Sequence, residues 1–165
     1  MLCHMKIPTL PTAAFGWTVA TQERAFAETV PVELSTIFTG WGPLPAVVGT
    51  RDQTGAWDAA GQTRTVLLSD GSHAQERLTA YNAGQHFAYT VTPQSGMLSV
   101  LAREARGKWW FIPGAKGGTE IVWTYDFSAR SLWSWSLLLV VSLLWEYYMR
   151  HALRLLVGQL ERAPK

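Results

Sequence analysis

Glu76 is the side chain whose type and setting point most directly to chemistry. It lies in residues 73–82, a stretch bounded by the turn signals Asp70-Gly71 and Asn82-Ala83-Gly84. On a strand, Glu76, Leu78 and Ala80 share one face, and Gln75, Arg77, Thr79 and Tyr81 the other. The second set is the more polar, so Glu76 is expected to point inward. A buried carboxylate is costly unless paired. It can serve as a polar anchor or general acid/base for a bound molecule, or as a structural carboxylate tied to a neighbouring element. Arg64 is its natural partner, because a guanidinium supplies countercharge and directional hydrogen bonds together. The bland alternative is a surface arginine on a half-exposed strand.

Aromatic rings form the second group. The chain has nine tryptophans in 165 residues. Ile121, Trp123, Tyr125 and Phe127 alternate with Glu120, Thr124 and Asp126, so the rings are expected on a buried face. Phe87, Tyr89 and Val91 repeat the pattern. Trp109 and Trp110 are adjacent and cannot both point inward; Trp110 is taken as the inward one. Tyr148, near the C-terminus, offers a hydroxyl to the same interior, and Phe38 and Trp41 are placed near a pocket mouth. Any single ring reads as core. So many around one face favour a pocket.

Other chemistries find no support. His4, His73, His86 and His151 show no metal pairing, and a lone Cys3 gives neither a disulfide nor a zinc spacing. Residues 114–118 form a turn without the Gly-Lys-Ser/Thr ending of a phosphate loop. No serine elbow is present. No metal and no cofactor are expected. A net charge of +2 without a basic cluster argues against nucleic acid. The single cysteine and the absence of an apolar leader suit a cytoplasmic protein.

The elements that must position these residues follow from periodicity. Residues 1–21 read as an N-terminal tail, or a short strand ordered only by packing, and 22–163 as one domain. Residues 24–30 alternate weakly, as a strand. Pro31 and Glu33 open a short helix ended by Gly40 and Gly42, and Pro43 opens a second ending near Gly49. Strands are expected at 62–68, 73–82, 85–92, within 98–106, at 108–112 and at 119–127. Short turns make the sheet antiparallel. The run 131–162 is the one element large enough to cover its apolar face. Its uncharged part, residues 131–145, is shorter than the ~20 residues a membrane span needs. Contact with a membrane surface stays open.

This order resembles the helix-grip fold of START-like and birch-pollen-allergen-like proteins, the SRPBCC superfamily of polyketide cyclase/dehydrase and lipid transport type. VPVELSTIF from Val30 resembles the family's entry to its short helices, and GQTRTVLLSDGSHAQERL from Gly61 its arginine, Asp-Gly turn and glutamate. GKWWFIPGAKGGTEIVWTYDF from Gly107 resembles its penultimate hairpin. The resemblance implies an α+β fold: a curved antiparallel sheet of about six to seven strands, two short helices after the first, and a long C-terminal helix over it. The tryptophan-rich residues 132–145 depart from the family pattern, leaving one rod or a short segment plus a rod. The resemblance also implies a cavity for an apolar or amphipathic molecule, with an arginine at Arg64 and an inward glutamate at Glu76. Three functions are therefore expected: ligand binding, cyclase-type catalysis through Glu76, or a membrane-surface or protein interaction module using residues 132–145.

Overall fold

The computed structural model describes residues 7–162. Cys3, His4 and the start of the expected tail lie outside the described residues. Seven antiparallel strands form one sheet. They are β1 (Leu10–Thr18), β2 (Val47–Arg51), β3 (Thr63–Leu68), β4 (His73–Asn82), β5 (His86–Pro93), β6 (Ala102–Pro113) and β7 (Thr119–Ala129), in spatial order β1-β7-β6-β5-β4-β3-β2. Helix α1 (Gln22–Thr29) follows β1, α2 (Gly96–Leu101) precedes β6, and α3 (Leu132–Arg162) closes the chain. This is the α+β helix-grip architecture.

The N-terminal third differs in part from its sequence reading. Residues 1–21, read as a tail or a short strand ordered only by packing, contain β1, paired along its whole length with β7 from Leu10 opposite Phe127 to Thr18 opposite Thr119. The expected strand at 24–30 is α1. Thr21 caps it by accepting from Arg24 N–H, and Ala25, Phe26 and Thr29 recur at helical spacing on its buried side. Phe26 sets its ring edge-on to Tyr81, Phe87 and Phe111, fixing α1 against the sheet. The first expected short helix shrinks to a 3-10 turn, Leu34–Thr36, and the second is absent. Val47 and Val48 are β-branched, and Val47 N–H donates to Phe38 O at 2.9 Å, so the chain turns into β2 instead.

The middle of the sheet follows its turn signals closely, with one merger. The expected strands at 98–106 and 108–112 are α2 plus one twelve-residue strand, β6. Gly107 does not break that strand.

Helix α3 is one continuous rod of 31 residues, which settles the choice left by residues 132–145. Ser131 and Ser134 cap it reciprocally: Ser134 N–H donates to Ser131 Oγ and Ser131 N–H to Ser134 Oγ. Its inward face carries Leu138, Met149, Ala152 and Leu156, all buried. The seat beneath it is made of small residues, Thr12, Ala14 and Gly16 of β1. Thr12 Oγ1 reaches Met149 Sδ at 3.3 Å, and a Cβ on Gly16 would stand 3.1 Å from the Leu153 side chain. By length and composition alone α3 could cross a bilayer. Because it sits over β1 at one edge, the concave face from β3 to β6 stays open beneath it.

Candidate functional site

A cavity of about 280 Å³ occupies that concave space between the sheet, α2, α3 and the 43–47 loop. Its walls are mostly apolar, and the aromatic residues Phe38, Tyr89, Trp109, Tyr125 and Trp145 contribute much of them. One ion pair interrupts them. Arg64 on β3 and Glu76 on β4 are register partners, and Arg64 Nε donates to Glu76 Oε2 at 2.7 Å. Each residue is only 8% exposed. No hydrogen bond to Glu76 Oε1 forms among the described residues, so this oxygen is available to a guest.

Trp57 covers the guanidinium, with its ring centroid 4.1 Å from Arg64 Cζ. It comes from the excursion between β2 and β3, is 2% exposed, and holds a left-handed φ of 62°. Periodicity could not have found it, since residues 52–62 carry neither helical nor strand alternation.

Two phenols, Tyr89 on β5 and Tyr125 on β7, line the same cavity. Tyr89 Oη accepts from Trp109 Nε1 at 3.5 Å and keeps its own proton to donate. Burial, then the neighbouring Glu76 charge, pushes Tyr89 far above the ordinary phenol range. Tyr125 is pushed well up by burial, with Tyr89 and Glu76 adding to it. Both therefore stay neutral hydrogen-bond donors. The indole N–H of Trp145, another wall residue, is buried without a partner among the described residues, as is that of Trp123.

Gly107 makes room for this cluster. It sits on β6 opposite Tyr89 of β5 and Tyr125 of β7, and a Cβ there would lie 2.3 Å from Tyr89 Cζ. The two tyrosine rings meet across the gap at 6.4 Å between centroids.

The sequence-level candidates sort accordingly. Glu76, Arg64, Tyr89, Tyr125, Tyr148 and Phe38 all line the cavity. Trp110 does not; Trp109 takes its place, stacked 4.5 Å from Trp123. Ala105, Gly107, Trp109 and Phe111 share the buried parity of β6, which leaves Trp110 on the outer face beside His86. Trp123 is fully buried behind Trp109 and supports the wall without forming it. Tyr148 has no hydroxyl proton to spare in this arrangement. It accepts from Gly40 N–H at 2.8 Å and donates to Pro45 O at 3.0 Å, tying the loop to α3. Trp41 stacks on Tyr147 outside the cavity. Tyr81, expected outward, lies opposite Phe87 because a bulge between Leu78 and Ala80 shifts the register.

A curved sheet gripping a long helix around a largely apolar chamber defines a helix-grip cavity protein. The chain belongs to the polyketide cyclase / dehydrase and lipid transport family, whose model matches residues 19–161. No curated protein matches it by sequence. Among solved structures it is similar to the Zhui aromatase/cyclase from a Streptomyces species, at 14% identity and a TM-score of 0.67, over 94% of this chain and 95% of that one. It is also similar to Ara h 8.0201, at 14% identity and a TM-score of 0.63, over 93% and 98% of the two chains. A protein from Nitrosospira multiformis matches at 16% identity and a TM-score of 0.62, over 94% and 97%. At these identities the likeness is one of fold.

Proposed function

We propose that this protein binds a hydrophobic or amphipathic small molecule, a lipid, polyketide or similar, in the cavity under α3. One observation carries the reading: the apolar chamber is interrupted by the buried Arg64–Glu76 pair, with Tyr89 and Tyr125 elsewhere on its walls. Apolar walls supply burial, and a few placed polar groups supply orientation. At about 280 Å³ the chamber stands near the lower end of the roughly 300–1,000 Å³ range of small-molecule pockets. The hydroxyls of Tyr89 and Tyr125 and the unpartnered indole N–H of Trp145 suit a guest whose polar end accepts hydrogen bonds, such as a carbonyl or hydroxyl oxygen. Native mass spectrometry of gently purified protein tests this. A bound small molecule, or uptake of an apolar probe together with uptake of an amphipathic probe that weakens in Arg64→Met/Glu76→Leu, is expected. A protein that arrives empty and takes up no apolar probe sinks the proposal.

A cyclase- or dehydratase-type reaction in the same chamber is the second reading. It is favoured by a carboxylate and two phenol hydroxyls lining the same chamber, which could hold and polarise one guest between them. Turnover that disappears in Glu76→Gln while binding persists distinguishes it from simple carriage.

A further inference from the structure

The outward face of α3 is unlike the surface of an ordinary lid helix. From Ser131 to Trp145 the chain carries no charge. Trp133 is 81% exposed, Val140 56%, Leu143 57% and Leu137 49%. On α2, Met97 and Val100 are exposed as well, at 76% and 69%. Scattered apolar residues on a surface need no explanation, but a concentrated patch marks a contact.

The patch runs into the cavity mouth. Trp133, Leu137 and Val141 succeed one another at intervals of four, along one line of the helix. The first two face solvent and the third lines the cavity. Met97 is both exposed and a lining residue, so α2 brings the same apolar surface to the rim from the other side. Arg130 joins the two helices: its Nε donates to Ser99 O at 2.6 Å.

Charge surrounds the patch without entering it. Arg130 precedes α3 and Arg103 follows α2, beside the Ala102–Ala129 pair at the same end of the sheet. Both are exposed, and neither forms an ion pair among the described residues. We infer that this face docks on a bilayer containing anionic phospholipid, with Trp133 and the apolar residues at the acyl boundary and the two arginines at the phosphates. The patch offers a protein partner little to fix register, since Ser136 is its main exposed polar side chain. A tryptophan and arginines bordering an apolar face suit the bilayer interface instead. Docking here would let an apolar guest pass between membrane and cavity along an unbroken apolar path. That purpose rests on the binding reading above; the docking itself does not.

Vesicle co-sedimentation tests it, using phosphatidylcholine alone and phosphatidylcholine with phosphatidylglycerol. The protein is expected to bind the mixed vesicles at least tenfold more tightly, and less so at high salt. Trp133→Ser/Leu137→Ser/Val140→Ser should abolish sedimentation yet take up a soluble apolar dye like the parent. Arg103→Glu, which leaves the apolar face intact, should weaken binding to the mixed vesicles alone. Parent protein that stays in solution with both vesicle types overturns the inference, as does a triple variant that sediments like the parent. A parent that is dimeric while the triple variant is monomeric, with no vesicle binding, overturns it in favour of a second copy of this chain. Sedimentation without dye uptake supports docking and counts against the binding reading only.

Discussion

Arg64 and Glu76 face each other across β3 and β4, joined by a 2.7 Å hydrogen bond, with each side chain 10% exposed. Little water reaches either group, so each depends on the other for compensation. Removing one partner strands the second, at a cost of about 3–5 kcal/mol for a buried pair. Glu76→Ala is therefore expected to lower unfolding stability by an amount of that order in urea titrations. Arg64→Met/Glu76→Leu should lose much less, because it removes both charges and keeps the volume. Additive losses across the double-mutant cycle would show that the pair is not coupled.

Burial raises Tyr89, Tyr125 and Tyr148 above their ordinary value of 10.0. The sign follows directly. Each folded-state pKa exceeds the unfolded one, so the stabilisation is full below the unfolded value and is lost as pH rises through the folded one. Stability should therefore fall from about pH 10 upward. One such phenol contributes up to about 1.4 kcal/mol per pH unit over that window. Tyr125→Phe should have a shallower alkaline slope than the parent in denaturant titrations between about pH 8 and 12. Equal slopes would mean that Tyr125 ionises as readily folded as unfolded.

Gly107 is required by space. A methyl there collides with the Tyr89 ring, which must then leave its place beside Tyr125. Gly107→Ala should cost about 1–3 kcal/mol as an overpacked core does, and weaken uptake of an apolar probe. Tyr89→Ala should cost less stability in the Gly107→Ala background than in the parent, since there it also relieves the obstruction. Equal costs in the two backgrounds would place the strain elsewhere on β6.

Much of this arrangement was legible because hairpins obey simple counting. A turn at Asp70-Gly71 puts Arg64 and Glu76, six residues either side of Asp70, opposite one another. The alternation from Ile121 to Phe127 likewise marked one face of β7. The first strand was legible only as the alternative to a tail because its hydropathy is inverted. Phe15 and Trp17 face solvent, while Thr12, Ala14 and Gly16 lie under α3. Only the helix they must accommodate explains that pattern, and the helix is more than a hundred residues away. Tyr81 was misplaced by a bulge, and Trp110 because two adjacent tryptophans look alike by residue type, while parity with Ala105, Gly107 and Phe111 selects Trp109. Trp57 depends on a loop conformation that local sequence does not encode.

Trp57 combines two properties that substitution can separate. Its ring closes the Arg64 end of the cavity, and its backbone holds φ at 62°. The loop is braced around it: Asp58 N–H donates to Gln62 Oε1 at 2.8 Å, and Gln62 Nε2 to Asp58 Oδ1 at 2.9 Å. Trp57→Ala removes the ring and keeps the unfavourable backbone, with an expected loss of about 3–5 kcal/mol. Trp57→Gly removes the same ring but suits a left-handed φ. It should be the more stable of the two by about 1 kcal/mol, the usual cost of that conformation for a residue with a Cβ. Both should lengthen the longest alkyl chain that binds, because they open the same end of the cavity. Probes of graded chain length, titrated against parent and variants, read that limit. An unchanged limit would mean that the guest ends short of Trp57. Alanine equal to or above glycine in stability would mean that the loop relaxes out of its left-handed turn once the ring is gone.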